Sequence, residues 1–176
     1  RSYFGCLMKP SNVVGTASTF FTYTGEYEGN AHDEIDIEFL GKDTTRVQFN
    51  YFLNDVGGHE YMYDLGFDAS EDFHQYGFYW DEEKVVWYVD YQPVYCVVGA
   101  TSGVPQRVYT NFWSGEVSNQ GIMDWMGRVS DDQLPAKTEY KQITVAYLNG
   151  RGLDVPEPEY VPTAEEFRSE EHTSEL

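Results

Sequence analysis

Basic side chains are scarce in this sequence. Eleven Lys and Arg stand against 30 Asp and Glu, a formal charge of -19 over 176 residues, and a surface of that sign repels phosphate backbones and anionic bilayers. Nucleic acid is therefore not an expected partner. Long apolar runs are missing as well: no stretch approaches the roughly 20 residues that a membrane-spanning helix needs, so no membrane partner is expected. Cysteine is down to Cys6 and Cys96. Without a CxxC pair or a histidine cluster they define neither a disulfide framework nor a zinc site, and both read as small buried hydrophobes. No segment sustains a 3.6-residue apolar period, which predicts that any helices are short. The opening RSYFGCLMKP has no charged-then-apolar leader and no initiating Met, and it reads as cut from a longer chain.

Aromatic residues are abundant, with 15 Tyr, 11 Phe and 4 Trp. Two readings fit them: a β-rich fold that favours aromatics, and a surface that stacks on ring-shaped ligands. Short alternating segments bounded by turn residues recur through residues 1–150, the pattern of an all-β sandwich or barrel. Strands are expected near Tyr3–Lys9, Thr16–Tyr23, Glu34–Leu40, Arg46–Leu53, Phe73–Trp80, Lys84–Val89, Val94–Val98, Arg107–Trp113 and Glu139–Leu148. Between them fall turn residues at Gly25–Asn30, Gly41 with Asp43, Asn54–Gly58, Asp81–Glu83 and Ser114–Gly121. From Arg151 the composition changes to proline and acid, so 151–176 is expected to be a linker or tail. Its last nine residues, RSEEHTSEL at 168–176, read as the in-frame translation of a sequencing adapter, and no function is drawn from them.

The chemistry is concentrated in His32-Asp33-Glu34-Ile35-Asp36-Ile37-Glu38-Phe39-Leu40. Successive strand side chains point to opposite faces, so Glu34, Asp36 and Glu38 share one face and Ile35, Ile37 and Phe39 the other. Two unit charges about 5.5 Å apart at an effective dielectric of about 20 repel by roughly 3 kcal/mol, or about two pKa units. One of the three should hold its proton near neutral pH. A neutral acid beside an ionised carboxylate is what glycosidic cleavage requires. Four strand steps separate the Cα atoms of Glu34 and Glu38 by about 13 Å, while a retaining pair needs carboxyls about 5 to 5.5 Å apart; side chains leaning together close most of that gap. The spacing alone leaves three readings open: a catalytic set, a calcium site of hard oxygen ligands, and a solvated acidic strand face.

The wider string narrows them. Ser18-Thr19-Phe20-Phe21-Thr22-Tyr23-Thr24-Gly25, then Asp33 to Leu40, Gly41-Lys42-Asp43-Thr44-Thr45, Val47-Gln48-Phe49-Asn50, Gly57-Gly58-His59-Glu60, Leu65 to Ser70 and Phe73-His74 resemble the lichenases, endo-β-1,3-1,4-glucanases of glycoside hydrolase family 16. The resemblance runs in register from about Gly5 to about Leu148. It implies a concanavalin A-like jelly-roll sandwich over residues 1–150 and retaining hydrolysis of β-glucan, with Glu34 as nucleophile, Glu38 as general acid/base and Asp36 as their helper. It further implies substrate contacts from Phe21, Tyr23, His32, Asn50, Phe52, Glu60, Asn111, Trp113 and Trp125, and an extracellular, monomeric enzyme without a cofactor. Trp80 and Trp87 flank a charged hairpin and are expected to pack, and His59 to serve as a hydrogen-bonding group behind the site.

Relatives acting mainly on β-1,3-glucans, agars or carrageenans commonly carry one more residue before the second Glu, so the uninterrupted spacing here points to mixed-linkage glucan. Where the family usually has Trp this chain has His32, and Phe52 stands where many have Tyr. The stretch Ser114–Gly121 is longer than usual. Relatives carry an N-terminal portion ahead of the strand with Gly5 and Met8, so the chain is expected to lack N-terminal strands. Lys141 falls near the usual place of an Asp calcium ligand, and no metal is expected. Competing functions are a family 16 transglycosylase, a β-1,3-glucanase, a non-catalytic glucan-binding jelly roll and an inactive fragment.

Overall fold

Short runs of β-branched and aromatic residues separated by turn residues form strands throughout the described residues, 2–115 and 117–147 of a computed structural model. Ten strands are formed: β1 Ser2–Lys9, β2 Thr16–Thr24, β3 Asp33–Leu40, β4 Arg46–Phe52, β5 Tyr61–Asp64, β6 His74–Trp80, β7 Lys84–Val89, β8 Gln92–Val98, β9 Arg107–Ser114 and β10 Glu139–Tyr147. One α-helix, α1, spans Gln120–Met126, and 3-10 turns occur at Glu26–Glu28 and Asp131–Gln133. Nine strands lie within two residues of the expected bounds. The tenth, β5, is only four residues long and mostly exposed, too short for alternation to single it out. Leu148 and the tail at 151–176, adapter-like segment included, lie outside the described residues.

The chain divides into two compact units, each built on a five-stranded sheet. In the first the strand order is β10-β1-β6-β7-β8. Its clearest hairpin joins β6 to β7 with Trp80 opposite Val85, and the Asp81 carboxylate closes the tip by accepting the amides of Glu83 (2.8 Å) and Lys84 (3.0 Å). Every residue of β7, which lies between β6 and β8, is buried. Trp87 is fully buried beside Tyr95, and Trp80 packs on Phe4 at 5.3 Å, so both tryptophans pack as expected. Cys6 is buried; Cys96, expected to be buried, is only partly so, because it lies on strand β8, whose residues are half-buried or exposed. The two thiols are free.

The second unit has the order β5-β4-β3-β2-β9, with β3 in the middle. One face of this sheet is a row of large apolar side chains. Phe20 of β2 lies opposite Ile37 of β3, which lies opposite Phe49 of β4, and all three are fully buried. Each contributes about 1.5–3 kcal/mol by leaving water, and together they fix which face of β3 carries the acids. Gly41 ends β3 where the Val13 backbone passes so close that a Cβ would collide with the Val13 carbonyl; its amide donates to Thr16 O at 2.9 Å.

Candidate active site

The opposite face of the same sheet collects most of the residues singled out in the sequence. Antiparallel partners directly across from one another share a face, and the register sets three rows. Tyr23 lies opposite Glu34, which lies opposite Phe52; Phe21 opposite Asp36, opposite Asn50; Thr19 opposite Glu38, opposite Gln48. Strand β9 extends the rows with Arg107, Tyr109 and Asn111, and Met62 of β5 continues the third beyond Gln48. The acids therefore stand on the central strand, with aromatics on either side. Phe21 stacks on Tyr109 at 5.2 Å. Glu60 precedes β5 and is exposed, yet its charge reaches both Asp36 and Glu38.

Burial and mutual repulsion set the protonation of the acids. Asp36 is buried and hydrogen-bonded to Glu34, and its carboxyl is pushed well above the usual range by burial first, then by the charges of Glu34 and Glu38. Glu38 is pushed up to about 7, again by burial first and then by Glu34 and Glu60, against a pull downward from the Gln48 amide. Both groups bind protons more tightly in the folded chain than in the unfolded one. Stability they contribute is therefore present at low pH and lost as pH rises toward and through about 7. The site is maintained at a cost to the fold, as functional carboxylate clusters are.

The Gln48 amide is the functional group that the sequence reading passed over. Its Nε2 donates to Glu38 Oε2 at 2.6 Å while its Oε1 accepts the Trp125 indole N–H at 3.2 Å, so one side chain links the acid to the tryptophan. The signal was there: Gln48 lies two residues from Asn50 on β4 and so must share its face. Trp125 reaches that place on α1, whose first turn is capped by the Asn119 side chain accepting Ile122 N at 3.1 Å. It tilts against Trp113 at 5.9 Å, and both pack on Ala17, Leu40 and Met126. A shallow hollow beside Glu38 is lined by Gln48, Met62, Arg46 and Lys42 among others.

Asn50 supplies another observation. Its amide Oδ1 is buried on the floor beside Asp36 with no hydrogen-bond partner among the described residues. A buried acceptor left open costs about 1–3 kcal/mol, and a hydroxyl-bearing ligand would satisfy it. His59 lies behind β4, stacked on Tyr51 at 4.0 Å and bonded through Nδ1 to the Tyr51 carbonyl at 3.0 Å. Among the described residues no group of three or more His, Cys, Asp or Glu is arranged to hold a metal ion.

His32 was expected to face substrate as a replacement for a stacking tryptophan. Its ring does lie flat on Phe52, with centroids 4.3 Å apart and planes within 11°, and near Tyr23 at 5.1 Å. It also reaches Glu34, with Nε2 2.5 Å from Oε2. Asn111 is exposed at the β9 edge of the Glu38 row, its backbone carbonyl taken by Thr19 and Tyr140.

On this face, then, three carboxylates stand on one strand between aromatic and amide side chains. The description "Glycosyl hydrolases family 16" matches residues 2–142, and the chain belongs to that family; its fold class is the family's jelly-roll β-sandwich. It is 50% identical over 139 residues to a beta-glucanase of Brevibacillus brevis, covering 78% of this chain and 52% of that protein. A beta-glucanase of Acetivibrio thermocellus is 46% identical over 156 residues, 89% of this chain and 45% of its own length. Among solved structures, a prokaryotic beta-1,3-1,4-glucanase (lichenase) derived from a mouse hindgut metagenome aligns with a TM-score of 0.73 at 45% identity, over 83% of this chain and 65% of that one. The chain thus spans about half the length of the curated relatives it matches.

Proposed function

We propose that the chain is the catalytic portion of a retaining endo-β-1,3-1,4-glucanase that acts on mixed-linkage β-glucan outside the cell, as a monomer. The observation that carries the reading is the pairing of Glu38, which holds its proton up to about pH 7, with Glu34 on the same face of one strand, where Asp36 stands between them in sequence and is hydrogen-bonded to Glu34. The Glu34 carboxylate attacks the anomeric carbon as Glu38 protonates the glycosidic oxygen; the C1–O bond breaks and the reducing-side fragment leaves. Glu38, now ionised, takes a proton from water as that water attacks C1 and frees Glu34 from the glycosyl ester. Asp36 donates to Glu34 throughout, which keeps the attacking group oriented. Phe21, Tyr23, Phe52, Trp113 and Trp125 offer apolar faces to sugar rings, and the open acceptor of Asn50 suits a ring hydroxyl.

The uninterrupted Glu34-Ile35-Asp36-Ile37-Glu38 spacing and the likeness to the mouse-hindgut lichenase, at 45% identity, both favour mixed-linkage glucan as substrate. Chromatography of the products from barley β-glucan, laminarin and carboxymethylcellulose tests this. Oligosaccharides from barley β-glucan alone are expected; release from laminarin alone would assign a β-1,3-glucanase, and binding without products a glucan-binding module.

Gln48→Ala removes the bond that pulls the Glu38 proton affinity down. The alkaline limb of kcat/KM reports the acid that must stay protonated, so that limb should move above its wild-type position near pH 7, with a loss of about tenfold in rate as Glu38 loses its orientation. A pH–rate profile of the variant checks the direction; a limb that moves down would mean that Gln48 does not act on the ionised form of Glu38.

A further inference from the structure

One of the residues that depart from the family pattern, His32, touches the proposed nucleophile. His32 stands one residue before β3, and its place is overdetermined. The His32 amide donates to Asp55 Oδ1 at 2.9 Å, and the Asp55 amide donates back to the His32 carbonyl at 3.0 Å. Next along the chain, the buried Asp33 carboxylate accepts the Asn54 amide at 2.7 Å. Asn54 and Asp55 take left-handed φ values of 51° and 67°, which close the chain between Leu53 and Val56 into a tight two-residue turn. The turn that ends β4 thus clamps the entry to β3, and the imidazole lies flat on Phe52 with the Tyr23 ring tilted against it and Nε2 on Glu34 Oε2.

A side chain stacked flat on a neighbour and fixed at its backbone has one way to present its N–H, and here it presents it to a carboxylate. We propose that His32 is a positioning residue for Glu34, donating Nε2–H to its Oε2 to fix the attacking carboxylate. The proposal rests on the reading of Glu34 as nucleophile. Glu34 accepts from His32 on one side and is bonded to Asp36 on the other, so its rotamer is set from both. No proton transfer is required: the neutral Nε2–H tautomer and the imidazolium both donate.

The test uses the full 176-residue chain and two readouts. In the first, the His32 Nε2–H resonance is followed by NMR in the wild type and in Glu34→Gln. Loss of the carboxylate should move it upfield, as a charge-assisted bond gives way to a weaker neutral one. In the second, kcat and KM on barley β-glucan are compared for His32→Gln and His32→Phe. His32→Gln keeps a donor, so it should lose only a few-fold in kcat. His32→Phe keeps the stack on Phe52 and loses the donor, so kcat should fall about tenfold while KM changes little. An Nε2–H resonance indifferent to Glu34→Gln, or a His32→Phe kcat equal to that of the wild type, would overturn the proposal and leave His32 as a wall of the cleft. A wild-type chain that cleaves no glucan but shows the NMR shift would overturn the glucanase reading and uphold the His32–Glu34 couple itself.

Discussion

Glu34→Gln and Glu38→Gln should each lower kcat/KM on mixed-linkage glucan by about 10²–10⁴-fold while making the fold more resistant to heat above neutral pH. The first half follows from the double displacement, which needs one carboxylate that attacks and one acid that donates; an amide does neither. The second half follows from the sign of the linkage. Glu38 is buried and pushed up to about 7, so above that pH the native state carries a desolvated negative charge beside Glu34 and Glu60. Gln removes that charge, and Glu34→Gln removes one of its causes. Each variant should therefore show a Tm a few degrees above wild type at pH 8, at about 2–4 °C per kcal/mol for a chain of this size, and little difference at pH 5. Calorimetry at the two pH values checks it. A Tm lowered at pH 8 would mean that these acids stabilise the fold, which is incompatible with the electrostatics of the site.

Ile37→Ala tests the other face of the same strand. Ile37 is fully buried between Phe20 and Phe49, and truncating such a side chain costs about 2–5 kcal/mol, the spread depending on how far the cavity collapses. Against a total of about 5–15 kcal/mol for a domain, that is a large fraction. Urea unfolding should show a midpoint lowered by the corresponding amount at unchanged slope. The pH profile of the remaining folded enzyme should keep its alkaline limb near 7, since Ile37 supports β3 without touching the acids. A midpoint within experimental error of wild type would show that the row Phe20–Ile37–Phe49 is not what anchors the strand.

These variants mark what was legible in the sequence. The face of each β3 residue follows from a period of two, so the acids, their apolar backing and the all-β class could be read from alternation and turn residues, while the jelly-roll architecture came through resemblance. The in-register residues across the sheet were legible only through resemblance, because pairing register depends on turn geometry and on contacts distant in sequence. Gln48 carried the right parity, but nothing in a single strand says which neighbour a side chain will meet. His32 was read as a loss of stacking area. Its bond to Glu34 depends on the Asn54–Asp55 turn, 22 residues away, closing back on the chain ahead of β3, and no local pattern announces that. Strand β5 and helix α1 were missed for a simpler reason: four and seven residues are too few for a period to stand out.

The central claim is that Glu34 attacks the anomeric carbon and Glu38 supplies the proton. Proton NMR of barley β-glucan digestion, recorded in the first minutes before mutarotation, tests it most directly. The account predicts that the reducing ends appear first as the β-anomer, with the α-anomer growing in afterwards. An α-anomer formed first would mean that water, and not Glu34, attacks C1, and the double displacement on this strand would be contradicted.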